Sequence, residues 1–264
     1  MDRLIFQVSV GKPSKLYEHC LESVNAYCKK HDIAHRVLTR PKLRIKPDVF
    51  ATNRSANSYE KYGGYLPIYE KENAFEYLSD FDQVAIVEAD IYIREDAPNI
   101  FDDFGTEHAF GAVCEREMPL TNKYKKKITN YSKMQYGNLH NNKLDFKPNH
   151  LGFEFYNMGV MLMNSSLFSS YLNGQSPLEF VMRSEFKDFV DGIGNWKWST
   201  DQTMLNYFVK KYKIPTKHMD WKWNGLYTAL ASDKVSESHF IHFFLKDLLP
   251  EKGENVKELM NAIN

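Results

Sequence analysis

The chain has few cysteines, no long apolar run and no excess of either charge. Its three cysteines, Cys20, Cys28 and Cys114, are odd in number and lack zinc-site spacing. This pattern excludes a disulfide framework and favours a reducing compartment. No stretch approaches the roughly 18 apolar residues of a membrane span, and the first apolar segment, residues 4–10, is too short for a signal-peptide core. We therefore expect a soluble, cytoplasmic protein.

The charge balance and length limit the class of protein further. Lys plus Arg equal Asp plus Glu at 34 each, which argues against a protein built to coat nucleic acid. The 264 residues are 43% hydrophobic, which is enough for a packed core and excludes wholesale disorder. No internal repeat or clear linker divides the chain, so we expect a single domain over residues 1–264.

The order of predicted elements favours an α/β fold. An apolar strand over residues 4–10 precedes a turn, a helix capped by Ser14 and a second strand at residues 35–39. Further strands are predicted at 109–115, 155–164 and 239–244, and one ends at Asp90. Helices are predicted at 66–78, 99–104, 167–171, 177–190, 201–211 (capped by Thr200) and 254–263. We expect residues 41–64, which are polar and rich in turn residues, to be irregular.

The most informative stretch is the apolar run that leads into Glu88 and Asp90. Alternation along a strand places the two acids on the same side. In open α/β sheets the carboxyl ends of the strands form the ligand-binding edge. Two carboxylates held there suit a divalent cation, although solvated acids at a strand end are the commoner case.

Three other segments carry polar groups that could serve a site, each with a structural alternative. Asn157 lies beside Gly159 in a strand, where a glycine often marks close approach of a ligand or backbone. Asp201 and Gln202 begin a helix, where such residues are ordinary. His239 and His242 are three apart in an apolar strand, so they face opposite sides and one of them can reach a metal.

Two more features are open to interpretation. Trp196 and Trp198 could stack on sugars, but buried core tryptophans are more frequent. Residues 116–150 hold eight Lys or Arg against Glu117 and Asp145, with six Asn and three Tyr. We interpret this segment as an insertion or lid on the acceptor side of a site; a solvated loop without a role is an equal alternative.

Together these pieces resemble the glycosyltransferases of the GT-A fold, and especially family 8, the glycogenin-like, galactinol-synthase-like and lipopolysaccharide-glycosyltransferase group. The family's motifs match, in order, Glu88-Ala89-Asp90 (Asp-x-Asp), Asn157-Met158-Gly159-Val160 (Asn-x-Gly-Val), Asp201-Gln202 (Asp-Gln), Trp223-Asn224 (aromatic-Asn) and Phe240-Ile241-His242-Phe243 (Ile-His-Phe). The resemblance covers residues 5–250. It implies an α/β domain with a Rossmann-like, mostly parallel mixed sheet flanked by helices.

The resemblance also implies roles for individual residues. Asp90 and His242, with Glu88 beside them, would ligate Mn²⁺ (or Mg²⁺) that bridges the diphosphate of a nucleotide sugar, typically a UDP-sugar. The remaining donor-binding residues would be Val8, Ser9, Val10, Gly11, Tyr17 (stacking on the base), Lys71, Ala89, Gly159 and Lys246. Asn157, Asp201 and Gln202 would hold the donor sugar and line the reaction centre.

The implied chemistry is hexose transfer to a hydroxyl acceptor, which could be a glycan, a lipid-linked sugar or a protein. The implied metal ligands suit this reaction, because a cation on the diphosphate stabilises the negative charge that develops as the sugar–phosphate bond breaks. Imidazole among carboxylates favours manganese over magnesium. The family generally retains anomeric configuration, and a homodimer is one possible assembly. No nucleic acid or membrane span is expected.

Two positions depart from the family pattern. Glu88 replaces an Asp and adds one methylene, which makes Asp90 the firmer ligand. Leu245 and Leu248 stand where the family carries Gly and Lys, and the nearby lysine is Lys246.

Two other functions therefore stay open. One is a catalytically degenerate nucleotide-sugar or glycan-binding protein. The other is a sugar-phosphate nucleotidyltransferase, for which residues 10–13 make a poor glycine-rich loop.

Overall fold

A computed structural model describes residues 1–48 and 53–263. Its strands are β1 Arg3–Val8, β2 Ala34–Leu38, β3 Gln83–Val87, β4 Ile91–Ile93, β5 Phe110–Cys114, β6 Pro148–Asn149, β7 Gly152–Phe153, β8 Tyr156–Asn164, β9 Thr216–Met219, β10 Gly225–Leu226 and β11 Phe240–His242. Its α-helices are α1 Lys15–Lys30, α2 Asn53–Tyr62, α3 Ile100–Phe104, α4 Asn122–Asn141, α5 Pro177–Val181, α6 Lys187–Asp191, α7 Asp201–Lys211 and α8 Val256–Ile263.

Other helical segments, mostly 3₁₀, join these elements. They are the 3₁₀ helices Pro67–Ser79, Glu115–Glu117, Ser184–Phe186, Gly194–Trp196, Trp221–Asn224, Ser232–Glu237 and Lys246–Leu248, the π-helical turn Phe168–Leu172 and the turn Pro250–Gly253. Within the described ranges, no helix combines the length and the apolar composition needed to cross a bilayer.

The central sheet has six strands in the order β2-β1-β3-β8-β5-β9. Only β8 runs antiparallel to its neighbours, while the pairs β1–β2, β1–β3 and β5–β9 are parallel. Every residue of β3 and β8 is buried, as expected for central strands covered on both faces. This confirms the predicted α/β class with a mixed sheet flanked by helices.

A second sheet, in the order β10-β11-β4, lies beside the site described below. Strand β11 runs antiparallel to β4 and pairs His242 with Ile91. This pairing brings a strand near the end of the chain against the turn that follows β3. The short strands β4, β9 and β10 were not predicted, because four residues or fewer carry too little alternation to be recognised.

Most predicted elements are confirmed, and local signals explain why. Ser14 caps α1 by accepting a hydrogen bond from the Tyr17 amide. Thr200 caps α7 in the same way through Gln202, and α7 has the predicted bounds. The predicted helix at residues 66–78 is present as a 3₁₀ helix, and the terminal helix begins at Val256.

Three predictions of local structure are wrong. Residues 41–64 are not irregular throughout, because α2 occupies residues 53–62. Its Tyr59 and Tyr62 are exposed, and this explains why no apolar stripe in the sequence predicted the helix. Residues 49–52 of that prediction lie outside the described part. The predicted helix 177–190 is broken at Arg183, whose φ of −54° and ψ of 135° are not helical. The strand predicted to reach Asp90 ends at Val87.

Residues 116–150 fold mainly into α4, a 20-residue helix. Its buried face includes Ile128, Tyr136 and Leu139, and Tyr136 stacks on Phe155 with ring centroids 4.7 Å apart. The segment is therefore anchored on the core, and its role as an acceptor lid stays a prediction.

Candidate active site

A cleft of about 430 Å³ opens at the carboxyl ends of β1 and β3. Its lining includes nine of the residues predicted from the sequence: Val8, Ser9, Val10, Tyr17, Lys71, Glu88, Ala89, Asp90 and Lys246. Lys12, Pro13, Ser14, Tyr62, Pro67 and Ile68 also line it and were not predicted as site residues. Six predicted residues do not line this cleft, although all lie near it in the chain or in space: Gly11, Asn157, Gly159, Asp201, Gln202 and His242.

A tight turn after β3 aims two carboxylates at the cleft. The Glu88 amide donates to the Gly159 carbonyl at 2.9 Å, and the Ile91 amide donates to the Glu88 carbonyl at 3.1 Å. The Phe243 amide donates to the Asp90 carbonyl at 2.9 Å. These bonds end the strand, turn the chain and fix β11 beside it, so the carboxylates meet through a turn rather than through strand alternation.

Glu88, Asp90 and His242 converge on one point. Each offers a ligand atom, and these atoms lie within 4.8 Å of one another. His242 Nε2 is 3.1 Å from Glu88 Oε2 and 3.3 Å from Asp90 Oδ1. Burial lowers the pKa of His242, but Asp90 and Glu88 outweigh it and raise the pKa to about 10.

This donor set fits a divalent cation. Without a cation, the buried imidazole carries a positive charge between the two carboxylates, so the position already stabilises positive charge. Two carboxylates with one imidazole suit Mn²⁺ and admit Mg²⁺. The longer side chain of Glu88 reaches this point with Oε2 while its Oε1 bonds Lys71 at 2.6 Å.

A chain of buried amides sets the orientation of His242. His242 Nδ1 lies 2.9 Å from Asn224 Oδ1, and Asn224 Nδ2 donates to Asn157 Oδ1 at 2.8 Å. Asn157 Nδ2 in turn donates to Glu115 Oε2 at 2.9 Å, and the Tyr124 hydroxyl donates to Glu115 Oε1 at 2.8 Å. Because the amide of Asn224 presents its oxygen, Nδ1 keeps a proton in either charge state of the ring, and Nε2 is the nitrogen that faces the carboxylates.

Glu115 and Tyr124 were missed by sequence reasoning, since nothing local links them to residue 242. Burial raises the pKa of Glu115, and its hydrogen bonds to Asn157 and Tyr124 oppose the rise.

Gly159 makes room for His242. A Cβ at this position would lie 2.5 Å from His242 Cε1 and 2.6 Å from Nδ1. The sequence indicated a close approach at Gly159, and the group that approaches is the imidazole of His242. Its predicted contact with the donor stays untested.

Lys71 links the two halves of the site. Its buried ammonium lies 2.6 Å from Glu88 Oε1 and 2.6 Å from Asp201 Oδ2, and donates to the Met158 carbonyl at 3.3 Å. Burial opposes its charge, but Asp201 and Glu88 outweigh burial and raise the pKa of Lys71. Burial raises the pKa of Glu88, but Lys71 and then His242 bring it well below its usual value. Burial raises the pKa of Asp201, and Lys71 opposes the rise.

Lys246 covers the ring that was predicted to stack on a base. Its Nζ lies 3.5 Å from the ring centroid of Tyr17, a cation–π contact. Leu245, where the family carries glycine, has φ 57° and ψ 59°. The backbone thus keeps a left-handed conformation that glycine adopts without strain.

The remaining predicted residues have structural partners. Gln202 Oε1 accepts from the Met158 amide at 3.3 Å. His239 is on the opposite side of β11 from His242 and packs on Trp223 at 4.9 Å. Trp196 packs against Phe189, whereas Trp198 is 59% exposed.

The fold is that of the GT-A-type glycosyltransferases, as comparison with solved structures shows. A glycosyltransferase involved in glycosylation of the major capsid of PBCV-1 matches with a TM-score of 0.54 and 10% identity over 97% of this chain and 100% of its own. The galactosyltransferase LgtC, solved with donor and acceptor sugar analogs, matches with a TM-score of 0.50 and 13% identity over 98% of this chain and 95% of its own.

The bifunctional glycosyltransferase WbbM matches with a TM-score of 0.55 and 11% identity over 99% of this chain, which spans 49% of WbbM. No protein-family model matches the sequence, and no curated protein matches it by sequence. The predicted GT-A resemblance is confirmed at the level of the fold, and membership of family 8 stays a prediction.

Proposed function

We propose that this chain is a metal-dependent glycosyltransferase that moves a hexose from a nucleotide diphosphate sugar, in the first instance a UDP-sugar, to a hydroxyl acceptor. The observation that carries the proposal is the convergence of Glu88, Asp90 and His242. Glu88 and Asp90 line the cleft at the carboxyl ends of β1 and β3. Ligands of open α/β sheets bind at this edge. The solved glycosyltransferases with the same fold support this assignment.

Glu88, Asp90 and His242 would hold Mn²⁺ or Mg²⁺, which supplies charge stabilisation to a diphosphate leaving group. Lys12 and Lys246 line the same cleft and add positive charge near the phosphates. Tyr17 would receive the base once Lys246 leaves its ring for the phosphates. Val8, Ser9 and Val10 would border the nucleoside.

The transfer breaks the bond between the anomeric carbon and the phosphate oxygen, and the electron pair leaves with the nucleoside diphosphate. The acceptor oxygen bonds to the anomeric carbon, and its proton passes to an oxygen of the departing phosphate. Departure and attack on the same face retain the anomeric configuration and need no strong nucleophile. Asp201, held by Lys71, would position the sugar and stabilise the positive charge that develops on it.

The organisation proposed for the chain is one GT-A domain with residues 116–150 on the acceptor side. A cytoplasmic location is part of the proposal. The buried, unpaired state of Cys20, Cys28 and Cys114 supports a reducing compartment.

Calorimetric titration with UDP, with and without Mn²⁺, tests donor binding, and a screen of nucleotide sugars for slow Mn²⁺-stimulated hydrolysis tests turnover. We expect Mn²⁺-dependent binding, and loss of hydrolysis in Asp90→Asn and in His242→Ala with cooperative thermal unfolding preserved. Full activity in both variants would show that the metal is placed wrongly.

A catalytically degenerate binder is the second candidate. The observation that favours it is Lys71, which already forms ion pairs with both Glu88 and Asp201 within the protein. The same titration separates the two functions, because a binder would take up UDP with Mn²⁺ but hydrolyse no donor.

A further inference from the structure

One face of α4 concentrates positive charge, although the net charge of the chain is zero. Lys123, Lys126, Lys127 and Lys133 are all exposed, and we name them the lysine face. At 100° per residue they fall within an arc of about 120°. The first and last of them are about 15 Å apart along the helix axis. Lys and Arg equal Asp and Glu in the whole chain, at 34 each, so this charge is segregated rather than excess.

The lysine face is poorly balanced within the described residues, although Lys127 acts at a distance on the buried Glu115. None of its ammonium groups forms an ion pair with a described acid, and α4 contains no Asp or Glu. Like charges three or four residues apart destabilise a helix by about 0.2–0.5 kcal/mol per pair. The first turn also lacks an acid, although acids there stabilise the helix dipole. Packing on the core explains the opposite face of α4, but it does not explain the lysines.

The lysine face borders the reaction centre. Tyr124, in the first turn of α4, donates its hydroxyl to Glu115, and Glu115 belongs to the amide chain that orients His242. The Tyr124 ring packs edge-on against Phe244, at 5.7 Å. Phe244 lies two residues from His242 and two from Lys246. Lys127 Nζ lies 5.7 Å from the Tyr124 ring, so the lysine face begins beside the site.

The donor cleft has its own cations. Lys12, Lys71 and Lys246 line it, and no member of the lysine face does. A nucleotide diphosphate in the cleft therefore leaves the lysine face without an anionic partner. A ligand that satisfies it must carry several negative charges along about 15 Å and must also reach the reaction centre with a hydroxyl group.

We propose that the acceptor is an anionic glycan whose charged groups bind the lysine face while one of its hydroxyls enters the reaction centre. This inference rests on the proposed function and names the acceptor class for the same site. Charge complementarity selects the acceptor, and the lysines raise its rate of association. A neutral glycan lacks the groups that the lysine face binds.

Fluorescence anisotropy with a labelled heparin hexasaccharide tests the proposal, with maltohexaose as the neutral competitor. We expect binding that maltohexaose does not reverse and that weakens steeply with salt. The triple variant Lys123→Glu, Lys126→Glu, Lys127→Glu should bind about ten-fold or more weakly. The matched control Lys29→Glu, Lys213→Glu, Lys257→Glu reverses three exposed lysines elsewhere and should keep wild-type affinity. If the first variant unfolds, the three Lys→Gln changes replace it.

The same titration repeated with saturating UDP and Mn²⁺ locates the hexasaccharide. We expect no displacement, whereas displacement would put the polyanion in the donor cleft and overturn the proposal. Equal weakening in both triple variants would also overturn it, as would equal affinity of the α4 variant and the wild type. Binding of phosphatidylglycerol vesicles without binding of the hexasaccharide would assign the lysine face to a membrane surface instead. UDP binding is measured separately, so failure of the donor assignment is recognised independently.

Discussion

Gly159→Ala is the change that most directly probes how the fold builds the site. Gly159 has no special backbone angle, so alanine strains no dihedral there. The only consequence is the added methyl group, which would lie 2.5 Å from His242 Cε1 and 2.6 Å from its Nδ1. Because β8 is buried along its whole length, the strand cannot yield, and the imidazole must move.

The size of the effect follows from these distances. Ordinary contact begins near 3.4 Å, so the ring must shift by about 1 Å, against an overpacking cost of about 1–3 kcal/mol. Such a shift removes Nε2 from the point that it shares with Glu88 and Asp90 and disturbs the bond to Asn224. Disturbing the hydrogen-bond partner that orients a metal ligand typically costs about 10–100-fold in metal affinity.

Calorimetric titration with Mn²⁺ measures the loss of metal affinity, and urea unfolding measures the change in the free energy of unfolding. Gly111→Ala is the matched control. Gly111 lies in the neighbouring strand β5, away from the cleft, and a Cβ there would lie 2.7 Å from the Phe104 ring. Both variants should lose comparable stability, but only Gly159→Ala should lose Mn²⁺ affinity. Wild-type affinity in Gly159→Ala, or an equal loss in both variants, would refute the reasoning.

Three further predictions concern the same region. Leu245→Gly should raise the free energy of unfolding in urea by about 0.5 kcal/mol. The left-handed backbone strains a leucine by about 1–2 kcal/mol, which exceeds the entropic cost of a glycine, about 0.5–1 kcal/mol. The control Leu248→Gly, in a 3₁₀ helix, should lower the free energy of unfolding. Asn224→Leu removes the acceptor for His242 Nδ1 and should weaken Mn²⁺ binding about 10–100-fold; calorimetric titration measures the affinity, and wild-type affinity in this variant would contradict the prediction. Mn²⁺ affinity should rise about ten-fold per unit between about pH 7 and 9, because the cation displaces one proton from a His242 whose pKa is about 10; an affinity independent of pH would contradict the assignment. In the metal-free protein the same group stabilises the fold fully below its unfolded pKa of 6.5, and this contribution is lost as pH rises through 10.

Local signals in the sequence predict most of the fold. The cap at Thr200 and the apolar spacing after it define α7 without help from the rest of the chain. The end of β3 could not be predicted, because Ala89 and Ile91 continue the apolar pattern past Val87. The turn there is closed by the Ile91 amide on the carbonyl of Glu88, and the Asp90 carbonyl accepts from Phe243, a residue far away in sequence.

The site shows the same division between local and distant determinants. Glu88, Asp90 and His242 were predicted from their residue types and from the order of the motifs. Their common point depends on the pairing of β11 with β4, which no local pattern encodes. Glu115 and Tyr124 carry no local signal, because their part in orienting His242 arises only when four distant segments meet.

A crystal grown with Mn²⁺ and UDP, measured at a wavelength where manganese scatters anomalously, tests the central claim most directly. The account predicts one anomalous peak among Glu88, Asp90 and His242 Nε2, with the diphosphate beside it and the uracil over Tyr17. A nucleotide bound in the cleft with no peak at these three residues would contradict the claim.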